Sequence, residues 1–281
     1  MFSVLVHQLI KMVTNISLLF VPGLCSISSL VYADLISYLS TTHDIPKSQL
    51  IPINLPSCDA IATKAALKPS ALHVDVATIR STIVAQLDLG HDVLLVAHSY
   101  GGTPVLYAVS GLWKAQRSAS GHTTGVLRAA LISSSLALPG HSVAGDRMEW
   151  REAHPDLARP DDGARIEEQE GEMFVVPDGI EKVWLSDVAA DHPLHTSMKP
   201  SALSGVITPA PDSDVRKWNV SYLVTKELDV DMPEAMQMWL IERARVADVE
   251  IGVESVVAGH FAMVSKVKEV GNWIVSLLPS A

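Results

Sequence analysis

The chain has 281 residues, 48% of them hydrophobic and 19% charged, and a formal net charge of -10 at pH 7. That length buries a sizeable core, as one large α/β domain or two modest ones. The acidic balance argues against nucleic acid, whose phosphates need lysine and arginine to neutralise them, and no run of about 20 apolar residues offers a membrane span. Cys25 and Cys58 allow one disulfide at most and form no metal pattern, so a reducing, cytoplasmic setting is the default expectation.

Residues 1–14 are apolar but lack a basic stretch, and Lys11 interrupts them, so they do not read as a secretory leader. Residues 15–21 follow as the first core strand, and cleavage behind them would remove part of a sheet. A helix is expected over 29–40, a strand over 49–54, and a helix over 74–89 with Val76, Ile79, Ile83 and Leu87 on one face. The run Val93-Leu94-Leu95-Val96-Ala97 has no polar alternation and suits a strand buried on both faces of a parallel sheet. Residues 104–109 open a helix with a proline its first turn tolerates. Further strands are expected at 127–132, 220–224 and 253–257, the last leading into a helix that carries Phe261, Val264, Val267, Ile274 and Leu277.

Strands separated by helices on this scale build a mostly parallel sheet of about six strands, covered by helices on both faces. Residues 136–214 break the rhythm: charge and proline density rise and the spacing of apolar runs is lost. The expected organisation is therefore a core from 1–135 and 215–281, interrupted by a lid at 136–214. Trp150, Trp184 and Met173 read as the apolar lining or hinge of that lid, with ordinary packing as the equal alternative.

The core's chemistry concentrates at VAHSYGG. A strand that ends in small-His-Ser-Tyr-Gly and turns at once into a helix holds its serine, Ser99, on a sharp bend, and the residues two before and two after must be small for strand and helix to close. Ala97 and Gly101 meet that need. A serine hydroxyl is a weak nucleophile until a base takes its proton, so a histidine and an orienting acid must follow on later loops. His98 is adjacent but projects to the opposite side of the strand, and reads as packing. His260 lies between the last strand and its helix and is the expected base, while the loop TKELDVDMP offers Glu227, Asp229 and Asp231 as acids. Two donors must face the developing oxyanion. The amide of Tyr100 is one, and the loop Val21-Pro22-Gly23-Leu24-Cys25 supplies the other from Leu24, with Cys25 as the alternative.

These residues resemble the α/β-hydrolase superfamily, and within it compact esterase-like members. LLFVPGLCS, LPS at 55–57, DVATIRSTI, VLLVAHSYGG, SYLVTKELDVDMP and AGHFAMVSKVKEV carry the resemblance from about residue 15 to the C-terminus. It implies the α/β-hydrolase fold. In that family the acid commonly stands four residues before a proline that opens the next helix; Asp229 and Pro233 have that spacing, which implies Asp229 ahead of its neighbours. Plant methyl esterases and hydroxynitrile lyases carry His-Gly where this chain has Pro22-Gly23, and the lyases carry a lysine where Phe261 follows His260. The resemblance thus implies hydrolase chemistry rather than cyanohydrin cleavage.

The function expected from the sequence is cleavage of a small carboxylic ester or lactone through an acyl group on Ser99, with no cofactor and no metal. The alternatives are a lyase, cyclase or C-C hydrolase of a biosynthetic pathway using the same residues, and a ligand-binding receptor on the same scaffold. A homodimer is compatible with this reading. His192 and His195, near Asp187 and Asp191, have helical spacing but enclose Pro193 and lack further ligands, so they read as a solvated segment. The sequons at Asn15 and Asn219 fall on expected strands and read as accidental.

Overall fold

The computed structural model describes residues 15–59, 70–157, 163–169 and 171–279. The expectation for residues 1–14 lies outside them. Six strands form one parallel sheet: β1 (Ile16–Val21), β2 (Leu50–Pro52), β3 (Asp92–Ser99), β4 (Val126–Ser134), β8 (Asn219–Glu227) and β9 (Glu250–Ala258), in the order β2-β1-β3-β4-β8-β9. This is the expected α/β-hydrolase sheet. Its central strands carry long apolar runs because both faces are covered: every residue of β1 is buried, and Val93 to Ala97 of β3 are inaccessible to solvent.

The strand order explains the placement of the helices. The chain moves outward from β1 to β2 through α1 (Ala33–Thr42), then returns past β1 to β3 through α2 (Ala71–Asp88). Right-handed crossovers running in opposite directions put those two helices on opposite faces. Accordingly α2 packs with α3 (Gly102–Ala108), while α1 packs with α6 (Val267–Ser276). The reversal beside β1 and β3 opens a crevice at their carboxyl ends, where open α/β sheets bind ligands.

The helix expected over 29–40 is interrupted. A turn at Ser28–Val31 and α1 meet at Tyr32, whose hydroxyl donates to the Val21 carbonyl at 2.8 Å and ties the break to the end of β1. The helix expected over 74–89 begins three residues earlier, at Ala71, behind an extended Ser70.

Between β4 and β8 lie α4 (Val143–Ala153) and a small antiparallel sheet of β5 (Ala164–Gln169), β6 (Glu172–Pro177) and β7 (Ser201–Ala202). β7 is fastened to the crevice: Ser201 Oγ accepts the amide of Cys25 at 2.7 Å, and the Lys199 amide donates to the Cys25 carbonyl at 2.8 Å. Phe174 of β6 packs with Ala71 at the start of α2 and Ala202 of β7. Cys25 and Cys58 are both buried free thiols, each pushed up to about 12, by burial first. Among the described residues no helix is long and apolar enough to cross a membrane.

Candidate active site

Ser99 ends β3 with φ of +51°, a left-handed conformation costing a non-glycine residue roughly 1–3 kcal/mol. The surroundings leave no alternative. A Cβ on Gly101 would strike the Pro22 carbonyl oxygen, and one on Gly23 would lie 2.8 Å from Ser99 Cβ, so both glycines are needed for the two loops to meet. The sharp bend predicted from the sequence is present.

His260 follows β9 by two residues and Asp229 follows β8 by two. Parallel pairing of β3, β4, β8 and β9 brings their carboxyl ends to one edge, and with them residues 161 positions apart. His260 Nε2 stands 3.0 Å from Ser99 Oγ, and its Nδ1 stands 3.1 Å from Asp229 Oδ2. A base at that distance can take a hydroxyl proton, with the imidazolium held by the carboxylate behind it. Glu227, by contrast, is the exposed last residue of β8.

Asp229 is held more tightly than a loop carboxylate would be. Its Oδ2 also accepts from Thr225 Oγ1 at 2.6 Å and Ser133 Oγ at 2.5 Å, and its Oδ1 accepts the Met232 amide at 2.9 Å. Gln237 of α5 (Glu234–Val246) brackets the loop, donating to the carbonyls of Thr225 and Met232 at 3.0 and 2.6 Å. Ser133 lies 3.2 Å from His260 Nδ1, so its hydroxyl joins acid and base, and its own φ is +39°. Sequence reasoning passed over Ser133; the run of three serines that ends the apolar stretch of β4 was the available signal.

Asp231 does not join Asp229. It lies on the other side of the ring, with Oδ2 3.5 Å from His260 Nε2 and Oδ1 2.6 Å from Nη2 of Arg147 on α4. Burial alone would raise its pKa, but the charges of Arg147 and His260 bring it down to about 2. Burial likewise disfavours a charged His260, yet the carboxylates of Asp229 and Asp231 outweigh burial and Arg147, and hold its pKa above the ordinary value. Nothing local in the charged stretch around Arg147 signals this pairing, which joins positions 84 apart.

His98 is fully buried and its ring packs, tilted by 55°, with its centroid 4.6 Å from that of His260. Its Nε2 donates to the His260 carbonyl at 2.9 Å, and burial followed by the neighbouring imidazole keeps it neutral. Its ring packs against those of His260 and Phe261. Of the amides near Ser99, that of Cys25 is taken by Ser201, whereas those of Tyr100 and Leu24 have no acceptor among the described residues and both residues line the crevice. Tyr100 is fixed through its hydroxyl, which donates to buried Asp75 at 2.8 Å.

The crevice is a cavity of about 420 Å³ whose floor is Ser99 and His260 and whose walls include Val143, Trp184, Val206, Met236 and Leu240. Trp184 thus lines it as expected. Met173 does not line it: it is exposed near the start of β6, two residues before Val175, which does line the cavity, and Trp150 takes the packing alternative, buried against His154. His192 lies 3.9 Å from Asp34. Among the described residues one group has the reach of a metal site, His141, Asp146 and Glu149, but Arg243 occupies its centre with ion pairs of 2.8 Å to Asp146 and 3.6 Å to Glu149.

Comparison with known proteins settles the family, since the model of the Alpha/beta hydrolase family matches residues 18–271. The chain belongs to that family. Among curated proteins it is similar to "Probable hydrolase R7" of a Phoma species, 25% identical over 263 residues that span 92% of this chain and 97% of the relative. Among solved structures, polyneuridine aldehyde esterase superposes with a TM-score of 0.66 at 14% identity, covering 94% of this chain and 99% of that one. A pyrethroid hydrolase from Sphingobium faniae gives 0.63 at 15% identity (94% and 97% covered), and a variant of tomato methylketone synthase I gives 0.64 at 11% (94% and 97%). These similarities show the α/β-hydrolase fold over nearly the whole chain.

Proposed function

We propose that this α/β-hydrolase is a serine hydrolase that cleaves a small carboxylic ester or lactone through an acyl group carried on Ser99. The observation that carries the reading is the unbroken line Ser99 Oγ, His260 Nε2, His260 Nδ1, Asp229 Oδ2, with steps of 3.0 and 3.1 Å, at the floor of a largely apolar cavity. Ser99 attacks the carbonyl carbon, His260 takes its proton and returns it to the leaving alcohol, and Asp229 holds the imidazolium. The amides of Tyr100 and Leu24 take the oxyanion; the engagement of the Cys25 amide by Ser201 favours Leu24 over it. Residues 136–214 serve as the lid, contributing Val143, Arg147 and Trp184 to the cavity wall. The reading uses no cofactor. The names esterase and hydrolase among the similar proteins agree with it.

The test is chemical. Rapid acid quenching during turnover of p-nitrophenyl acetate should show one acetyl group per chain, on the peptide containing Ser99. Turnover without any such adduct, under conditions where release is slowed by cold, would overturn the acyl route.

The pH dependence follows from the charges about His260. Only neutral His260 can accept the Ser99 proton, so kcat/KM should rise with pH along a limb centred above the ordinary histidine value of about 6.5. Asp231→Asn removes one of the two negative charges that raise this pKa and should move the limb to lower pH. An unmoved limb would show that Asp231 does not act on His260.

A further inference from the structure

We propose that Asp231 orients the water that releases the acyl group from Ser99, an inference that rests on the serine-hydrolase reading. The two carboxylates of the loop behind β8 divide the His260 ring between them: Asp229 faces Nδ1 and Asp231 faces Nε2, the nitrogen that meets Ser99. Asp229 suffices to hold the ring. Asp231 lines the cavity instead, beside the reacting atoms.

Its two oxygens are not equivalent. Oδ1 takes the 2.6 Å bond from Arg147 Nη2, which also donates to the Asp231 carbonyl at 2.7 Å, whereas Nη1 reaches Oδ2 only at 3.4 Å. Arg147 therefore fixes the carboxylate by one edge and leaves Oδ2 turned to His260. Oδ2 and Nε2 are 3.5 Å apart, so a single water can sit at about 2.8 Å from both.

Once Ser99 is acylated, its oxygen has no proton to give and the Nε2 lone pair is available. A water there donates one hydrogen to Nε2 and the other to Oδ2, which leaves an oxygen lone pair for the acyl carbon. The water oxygen bonds to that carbon as its first proton passes to Nε2; the bond from carbon to Ser99 Oγ then breaks, Nε2 returns the proton to Oγ, and the carboxylic acid leaves. Asp231 keeps its charge throughout and only accepts a hydrogen bond. The first half-reaction has no use for this second acceptor, because the serine hydroxyl carries a single proton. As a hydrogen-bond acceptor, Asp231 thus serves only the step that uses water.

Methanol supplies the test, since its hydroxyl has one hydrogen, which Nε2 takes, and none for Asp231. In Asp231→Asn the amide oxygen must turn to Arg147, placing an NH2 group where Oδ2 stood. Turnover of p-nitrophenyl acetate with added methanol is followed by measuring methyl acetate against acetic acid. In the variant the ratio of methyl acetate to acetic acid should rise by about tenfold or more, with acetyl accumulating on Ser99, because a misplaced water loses up to about 10²-fold in rate. The ratio is internal to each preparation and does not depend on the fraction folded; Asp231→Ala, which leaves no acceptor there, should give the same change. A ratio unchanged within about twofold, with acetyl-Ser99 still formed, overturns this role alone. Absence of acetyl-Ser99 from both wild type and variant overturns this role together with the serine-hydrolase reading.

Discussion

Ser99→Ala should lower kcat for ester hydrolysis by about 10⁴- to 10⁶-fold and move the unfolding midpoint by no more than about 3 °C. The asymmetry follows from where Ser99 sits. Among the described residues its Oγ makes one hydrogen bond, to His260, and alanine adopts the same strained backbone as serine, so the fold loses one modest interaction. The chemistry loses the atom to which the acyl group would be bound. The residual rate is what the Tyr100 and Leu24 amides can provide by polarising the carbonyl toward water. Activity measured with p-nitrophenyl acetate beside a thermal melt separates the two effects, and full turnover by the variant would remove Ser99 from the reaction.

The centre of the sheet was legible because its strands carry apolar runs without alternation. Val93 to Ala97 and residues 129–132 are uninterrupted apolar runs that suit burial on both faces, and parallel order follows from the helical spacing between such runs. The elbow was legible for a similar reason, since it is a continuous stretch whose glycine stands where a Cβ would meet Pro22. His260 and Asp229 were readable as loop residues in the right chain order, and the family resemblance, through the spacing to Pro233, implied Asp229 ahead of Asp231.

What was not legible depends on tertiary approach. Ser133 reaches Asp229 across 96 positions and Arg147 reaches Asp231 across 84, and neither contact leaves a periodicity in the chain. Met173 was misread because an apolar cluster in an irregular region does not reveal how far along a strand the cover extends; in β6 Val175 lines the cavity, whereas Met173, on the same side two residues earlier, is exposed near the start of the strand. The interruption at Tyr32 was hidden because its cause is the Val21 carbonyl, a backbone acceptor on another element.

The role of His260 admits the sharpest check. A fluorophosphonate reacts covalently with an activated serine and needs no water to finish, so its labelling rate reads the Ser99 and His260 pair apart from every later step. With His260 present, at 3.0 Å from Oγ, label should appear stoichiometrically on the peptide containing Ser99. In His260→Ala the hydroxyl keeps its proton, and the rate per folded molecule should fall by about 10³-fold or more. Equal labelling rates in the two proteins, or label confined to another residue, would contradict the account.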